Sequence, residues 1–154
     1  MNRENQVTVE ELLAGLNKPM PCSDEAERGA LSCFMQEPQR LIACLHATPP
    51  ALFYHDVSRE IFCTMVDEVT AGRPIDPISL THRLRNLGRL DFVGGAAAVS
   101  DVYTFVPIPS HFHYYLTVLR ELYGQRKHIE AHARSLNFLF QARDGEVAET
   151  LDTL

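Results

Sequence analysis

Residues Ala71 to Gly95, AGRPIDPISLTHRLRNLGRLDFVGG, decide the fold because they place chain breakers at fixed offsets around one short amphipathic segment. Gly72 can take the left-handed conformation that closes a preceding helix, and Arg73-Pro74 carry an extended link. Asp76 followed by Pro77 is an N-cap with proline at the first helical position, so a new helix begins there. It runs through Ile78, Leu80, Thr81, Leu84 and Leu87, a one-faced spacing, until Gly88 ends it. Gly94-Gly95 then resets the backbone before an alanine-rich segment.

Upstream, similar punctuation divides the chain into short helices. Ser23 is placed to cap one whose first turn carries Asp24, Glu25 and Glu27, where the helix dipole favours acid, with Ala26, Ala30, Cys33 and Phe34 on one face. Pro38 opens another over Gln39 to His46, with Leu41, Ile42 and Leu45 facing inward. Thr48-Pro49-Pro50 forces an extended link, which ends in a packed turn at Leu52-Phe53-Tyr54. From Asp56 as cap, Ile61, Phe62, Met65, Val66 and Val69 recur at helical spacing up to Gly72. At the start of the chain, Thr8-Val9-Glu10-Glu11 has the spacing of a capping box, and Val9, Leu12, Leu13 and Leu16 form the stripe of a short helix on an arm.

Downstream, Ala96 to Phe105 forms a short helix with Val99, Val102 and Tyr103 as its buried face, stopped by Val106-Pro107-Ile108-Pro109. Ser110 caps the longest uninterrupted helical stretch, which extends to about Ala142 and spans roughly 50 Å at the helical rise. Gly124 is its weak link, costing about 1 kcal/mol relative to alanine. Phe112, Tyr115, Leu119, Leu122, Arg126, Ile129, Ala133, Leu136 and Phe140 alternate in spacings of three and four, a heptad seam. A seam that long exceeds what a globule made from the preceding residues needs to cover, and calls for a partner helix from its own chain or another. Arg126, its one charged residue, either sets register or packs its stem and snorkels its head. Beyond Asp144-Gly145, Val147, Ala148, Leu151 and Leu154 begin a further helical pattern with no stop signal.

At 154 residues, 45% hydrophobic and 22% charged, the sequence specifies about one globular domain with a real core. No apolar run approaches a membrane span and MNRENQ lacks the regions of a signal peptide, so a soluble cytoplasmic protein without membrane contact is expected. Cys22, Cys33, Cys44 and Cys63 stand singly with no C-x-x-C, and read as small buried apolar residues. The net charge of −6 argues against this domain gripping nucleic acid. It divides as 9 basic against 14 acidic residues over 1–110, 5 against 2 over 111–143 and 0 against 4 over 144–154. The basic bias of the long helix reads as a solvated face or the complement of an acidic partner.

Chemistry is sparse. No G-x-x-x-x-G-K-[ST] phosphate loop occurs, and Gly94-Gly95, with no Lys-Ser/Thr after it, reads as a tight turn. His128 and His132 lie four apart, and His111 and His113 sit near the helix start, but the two pairs are roughly 28 Å apart along one helix and two ligands do not hold an ion. Solvent-exposed histidines are expected in place of a metal bridging two chains. Cys63 with His55, or Cys44 with His46, forms no recognisable nucleophile motif. The carboxylates of Asp67-Glu68 and of Glu25 and Glu27 face apart on a helix and read as solvated surface and caps. Phe112, Tyr114 and Tyr115 could stack bases, yet their place on the seam favours packing. No catalytic, metal or cofactor-binding residue is assigned.

The ordered set of these signals resembles the N-terminal domain of the bacterial replicative DNA helicases, the DnaB family. The resemblance rests on G-x-P-I-D at Gly72 to Asp76, L-x-x-x-G-x-L from Leu84 to Leu90 and the Gly94-Gly95 pair. Further support comes from S-x-E-A-E at Ser23 to Glu27, Phe53-Tyr54 followed by Ile61-Phe62, the proline turn Pro107 to Ser110, then Tyr114-Tyr115 and Arg126. It covers about residues 20 to 145. The periodicity gives an all-α fold, a compact bundle of five or six short helices through about Phe105 and then a protruding long helix. The domains expected are an arm over 1–20, a globular bundle over 21–106, and the long helix with the start of a second hairpin arm over 107–154.

The resemblance implies that hairpins pair between subunits into a collar on the hexameric ring and offer a docking surface for primase and for a helicase loader. The interface residues are then Phe112, Tyr115, Leu119, Leu122, Arg126, Ile129, Leu136 and Phe140. The chain itself is expected to be no enzyme and to meet DNA only through the full helicase, with ATP hydrolysis in a separate C-terminal part. The sequence is expected to stop partway down the second arm. The alternatives are a stand-alone phage or plasmid adaptor of the same fold that binds a host helicase or primase, and, behind it, a small metal-dependent enzyme using the histidines.

Overall fold

In the computed structural model of the chain, the residues described are Thr8, Glu11, Ala14, Gly15, 18–106 and 109–141, with the backbone alone at 109, 140 and 141. Six α-helices and no strand occur among them: α1 (Asp24–Gln36), α2 (Pro38–Cys44), α3 (Asp56–Thr70), α4 (Pro77–Asn86), α5 (Gly95–Thr104) and α6 (Phe112–Gln141). Short 3-10 turns cover Leu45–Ala47, Pro50–Leu52 and Pro109–His111. The chain is all-α, as its apolar periodicity requires.

The corner from Ala71 to Gly95 is built by two matching helix ends. Gly72, with φ at 69°, donates its N–H to Val69 O, and Arg73 N bonds Glu68 O at 2.8 Å, so α3 closes in a Schellman motif. The pattern repeats at the end of α4, where Gly88 N bonds Arg85 O and Arg89 N bonds Leu84 O. Between them Asp76 caps α4, its Oδ1 accepting from Ile78 N at 2.9 Å and Ser79 N at 3.1 Å, with Pro77 in the first turn. Ser23 Oγ caps α1 through Ala26 N. In the N-terminal segment, Thr8 N bonds Glu11 Oε2 and Glu11 N bonds Thr8 Oγ1, the reciprocal capping box expected there.

The chain divides into two compact units, Cys22–Tyr123 and Met1–Pro21 with Gly124–Leu154. The boundary after Tyr123 falls inside α6 and not at its start, because Phe112, Leu116 and Leu119 are core residues of the first unit. In that unit α1 packs against α2, α3 and α5, and α4 against α3 and α5. Four phenylalanines form its centre: Phe34 meets Phe62 at 5.9 Å and Phe112 edge-on at 5.3 Å, while Phe53 meets Phe62 at 4.7 Å. Leu31, Leu41, Ile61, Met65, Ile75, Leu80 and Leu84 fill in around them.

Several sequence expectations are corrected by this packing. Ile42 and Ile78 sit on faces read as apolar, yet they are 58% and 83% exposed, since α2 and α4 each bury only a narrow stripe in a bundle this small. Tyr54 is also exposed, and so is Cys22, unlike the buried Cys33, whose thiol burial pushes up to about 11. Asp56 is not the cap of α3. His55 holds that position without a side-chain capping bond, and Asp56 instead accepts from Arg59 Nη1 at 2.8 Å.

Two acids expected at the surface are buried. Glu27 has no exposed surface; its carboxylate accepts from Tyr54 N at 2.7 Å and His55 N at 3.3 Å and lies 3.1 Å from His55 Nδ1. Arg59 bonds the carbonyls of Phe53 and Tyr54, so the segment Phe53 to His55 is held at both its donors and its acceptors. Glu68 likewise turns inward, toward Arg73 and Arg83.

Candidate assembly surface

Helix α6 carries every side chain the sequence nominates for a protein interface, and its two halves treat them differently. Phe112 and Leu119 are 6% and 1% exposed and belong to the core of their own unit, so neither is available to a partner. Tyr115 is half-buried and packs on the same core, its ring pressed against the backbone of Gly29 in α1. Leu116 and Tyr123, which lie outside the heptad seam, join the cluster as well. The inward residues in this half are therefore 112, 115, 116, 118, 119 and 123, a stripe that keeps 112, 115 and 119 of the nominated set and widens toward the flank of 116 and 123. Both flanks share a seven-residue repeat, and sequence spacing alone does not say which one faces the body.

A polar latch holds the approach to α6. Gln36 Nε2 reaches the carbonyls of Tyr103 at 2.9 Å and Val106 at 2.6 Å, while Ser32 Oγ bonds Tyr103 O at 2.9 Å and accepts from Val106 N at 3.2 Å. These bonds satisfy the backbone between the end of α5 and Val106, and tie it to α1.

In the second unit, Arg126 is 5% exposed and donates from Nη1 to the carbonyl of Pro21 at 3.0 Å. Its head is thus buried and bonded, not snorkelled into water. Leu122, back in the first unit, and Ile129 are half-buried, and Ala133 is buried. Leu136 is 40% exposed, and its neighbours Phe138 and Leu139, which lie off the seam, are 45% and 47% exposed. The run Phe138-Leu139-Phe140 was the available signal, since three consecutive apolar residues must turn at least one side outward on a helix. The side chain of Phe140 lies outside the described residues.

Among the described residues no group of three or more His, Cys, Asp or Glu side chains is placed to share a metal ion, and no helix is long and apolar enough to cross a membrane. His128 and His132 are exposed. Phe112 and Tyr115 are taken up in packing, and of the three candidate stacking aromatics Tyr114 is the exposed one, at 62%.

This arrangement of capped short helices feeding a long one matches known proteins. The profile of the DnaB-like helicase N terminal domain family matches residues 19–121. The chain belongs to this family. As a DnaB-like domain it is 27% identical over 132 residues to the replicative DNA helicase DnaB of Geobacillus stearothermophilus, covering 86% of this chain and 29% of that protein. It is 28% identical over 107 residues to the replicative DNA helicase DnaC of Bacillus subtilis strain 168, covering 69% of this chain and 24% of that protein. The chain therefore spans under a third of the length of these relatives. The crystal structure of the N-terminal domain of DnaB helicase from Mycobacterium tuberculosis superposes with a TM-score of 0.78 at 24% identity, over 88% of this chain and 94% of that one, a likeness of fold. What the DnaB-like domain shares with the helicases is thus their N-terminal, non-catalytic part.

Proposed function

We propose that this DnaB-like domain is an assembly module of a replicative helicase in the cytoplasm, pairing with a second copy through the far half of α6 and contributing to a hexamer collar that docks primase and a loader. The observation that carries the reading is the exposure of Leu136 and Leu139, three residues apart and so on one side of the described end of the long helix, in a chain of this family. Leu122, Ile129 and Phe140 remain the candidate flanks of that surface, whereas Phe112, Tyr115 and Leu119 pack on the core of their own unit and Arg126 is buried on the carbonyl of Pro21. DNA contact and ATP hydrolysis belong, on this reading, to the remainder of a full-length helicase.

Light scattering over a concentration series tests the pairing. The 154-residue chain is expected to gain mass with concentration, and Leu136→Glu/Leu139→Glu to stay monomeric with an unchanged far-UV circular dichroism spectrum. A wild-type chain that stays monomeric up to millimolar concentration, or a double variant that associates as well as wild type, counts against pairing through this surface. Leu119 is unsuitable as a probe because a charge there would be buried in the core.

A further inference from the structure

The corner that organises the fold also carries concentrated positive charge. From Ala71 to Gly95 the sequence has four arginines, Arg73, Arg83, Arg85 and Arg89, against two acids, Asp76 and Asp91, within a chain of net charge −6. Asp76 is engaged in capping α4. A groove of about 500 Å³ lies between this link and α4, within the unit Cys22–Tyr123. Ile78, His82, Arg83 and Asn86 line it from α4, at spacings that share one face, and Arg73 and Glu68 line it from the corner.

Glu68 is the one carboxylate in the lining, and it is shared. Arg73 grips it in a fork, Nε on Oε2 and Nη2 on Oε1, both at 2.7 Å. Arg83 Nε stands 3.1 Å from the same Oε1, sealed from solvent and without hydrogen-bond geometry. Two guanidinium groups thus face one buried carboxylate, and their side chains are 49% and 35% exposed. Among the described residues no second carboxylate lies within ion-pair distance of either. Beside them, Ile78 is the most exposed large apolar side chain described, at 83%.

We propose that this groove binds an acidic peptide segment of a protein partner, with one carboxylate of the peptide bridging Arg73 and Arg83 beside Glu68 and a neighbouring aliphatic side chain resting on Ile78. Charge complementarity selects the occupant. Glu68 neutralises one of the two arginines, which leaves a single net positive charge suited to a carboxylate and poorly matched to a multiply charged phosphate. The exposed isoleucine adds apolar contact that an inorganic ion cannot use, and the acidic chain as a whole repels nucleic acid. The volume is that of an ordinary ligand groove. The proposal does not depend on pairing through the far half of α6, because every residue it uses lies in the other unit.

The test uses fluorescence anisotropy of a labelled synthetic peptide of about a dozen residues with Glu and Leu at helical spacing, titrated with the full 154-residue chain, and a counterpart with Gln for every Glu. Saturable binding is expected for the acidic peptide only, weakened by added salt. Arg83→Gln is expected to weaken it at least about tenfold and Ile78→Ser about threefold to tenfold, by loss of the charge and of the apolar contact respectively. His82→Glu, a surface change that adds a competing carboxylate, is expected to weaken it as well. Ile78→Ser and His82→Glu alter exposed side chains, so they remain informative should Arg83→Gln fail to fold. The proposal is overturned by absence of saturable binding up to about 1 mM, by equal binding of the Gln peptide, by indifference to both surface variants, or by displacement of the peptide with equimolar sodium phosphate, which would mark a small-anion site.

Discussion

Asp76 shows how one side chain fixes an element boundary. Its carboxylate accepts from Ser79 Oγ at 2.7 Å as well as from the N–H groups of Ser79 and Ile78, and these bonds, the Ser79 hydroxyl foremost, hold its pKa below the ordinary aspartate value. A depressed folded-state pKa contributes stability that is complete above the unfolded value, about 3.9, and is lost as pH falls through the folded one. Asn caps helices nearly as well without the charge. Urea unfolding at pH 7, 5 and 3 is therefore expected to show wild type more stable than Asp76→Asn at the two higher values, with the gap closing at pH 3. A gap independent of pH would show that the charge contributes nothing. The cap was legible because Asp-Pro is a local signal. The roles of Glu27 and Glu68 were not, because each is set by groups that only the folded chain brings to it, the N–H groups of Tyr54 and His55 for one and Arg83 for the other.

At the scale of the element, the fixed point of α6 is its contact with α1. A Cβ built on Gly29 would lie 2.7 to 2.8 Å from three ring carbons of Tyr115, closer than carbon atoms can approach. Gly29→Ala should gain about 1 kcal/mol of helix propensity, yet we expect a net loss of about 1–3 kcal/mol from overpacking. Combining it with Tyr115→Leu should recover part of that loss, a coupling readable in a double-mutant cycle by chemical denaturation. Additive losses would mean that ring and helix do not press on each other. Nothing in the sequence marked Gly29 as special, since a glycine inside α1 reads only as a weak helix former. The same contact explains why Tyr115 is no free interface residue despite its place on the seam.

At the scale of the whole molecule, the contiguous hydrophobic core formed by the described residues runs from Ala26 to Leu119, with Tyr123 packed against it, and lies inside the unit Cys22–Tyr123. That confinement predicts separable behaviour. A fragment of residues 22–123 is expected to unfold cooperatively, with a Tm within about 5 °C of the 154-residue chain, corresponding to roughly 1 kcal/mol for a domain of this size. It should stay monomeric in light scattering at every concentration. A fragment with no cooperative transition in circular dichroism would show that the second unit completes the first, and one that self-associates like the full chain would move the pairing surface off the far half of α6.

Element order, the caps at Ser23 and Asp76, the breaks at Gly72 and Gly88 and the length of α6 were determined by the sequence itself, because each depends on groups within a few residues along the chain. Family membership followed from that same order. Which flank of the long helix faces the body, which acids turn inward and which isoleucines remain in water were decided only by tertiary structure. The physical reason is that a heptad offers two adjacent stripes of comparable hydrophobicity, and burial chooses between them through the shape of a surface to which α1 and α2, distant in sequence from Phe112, contribute.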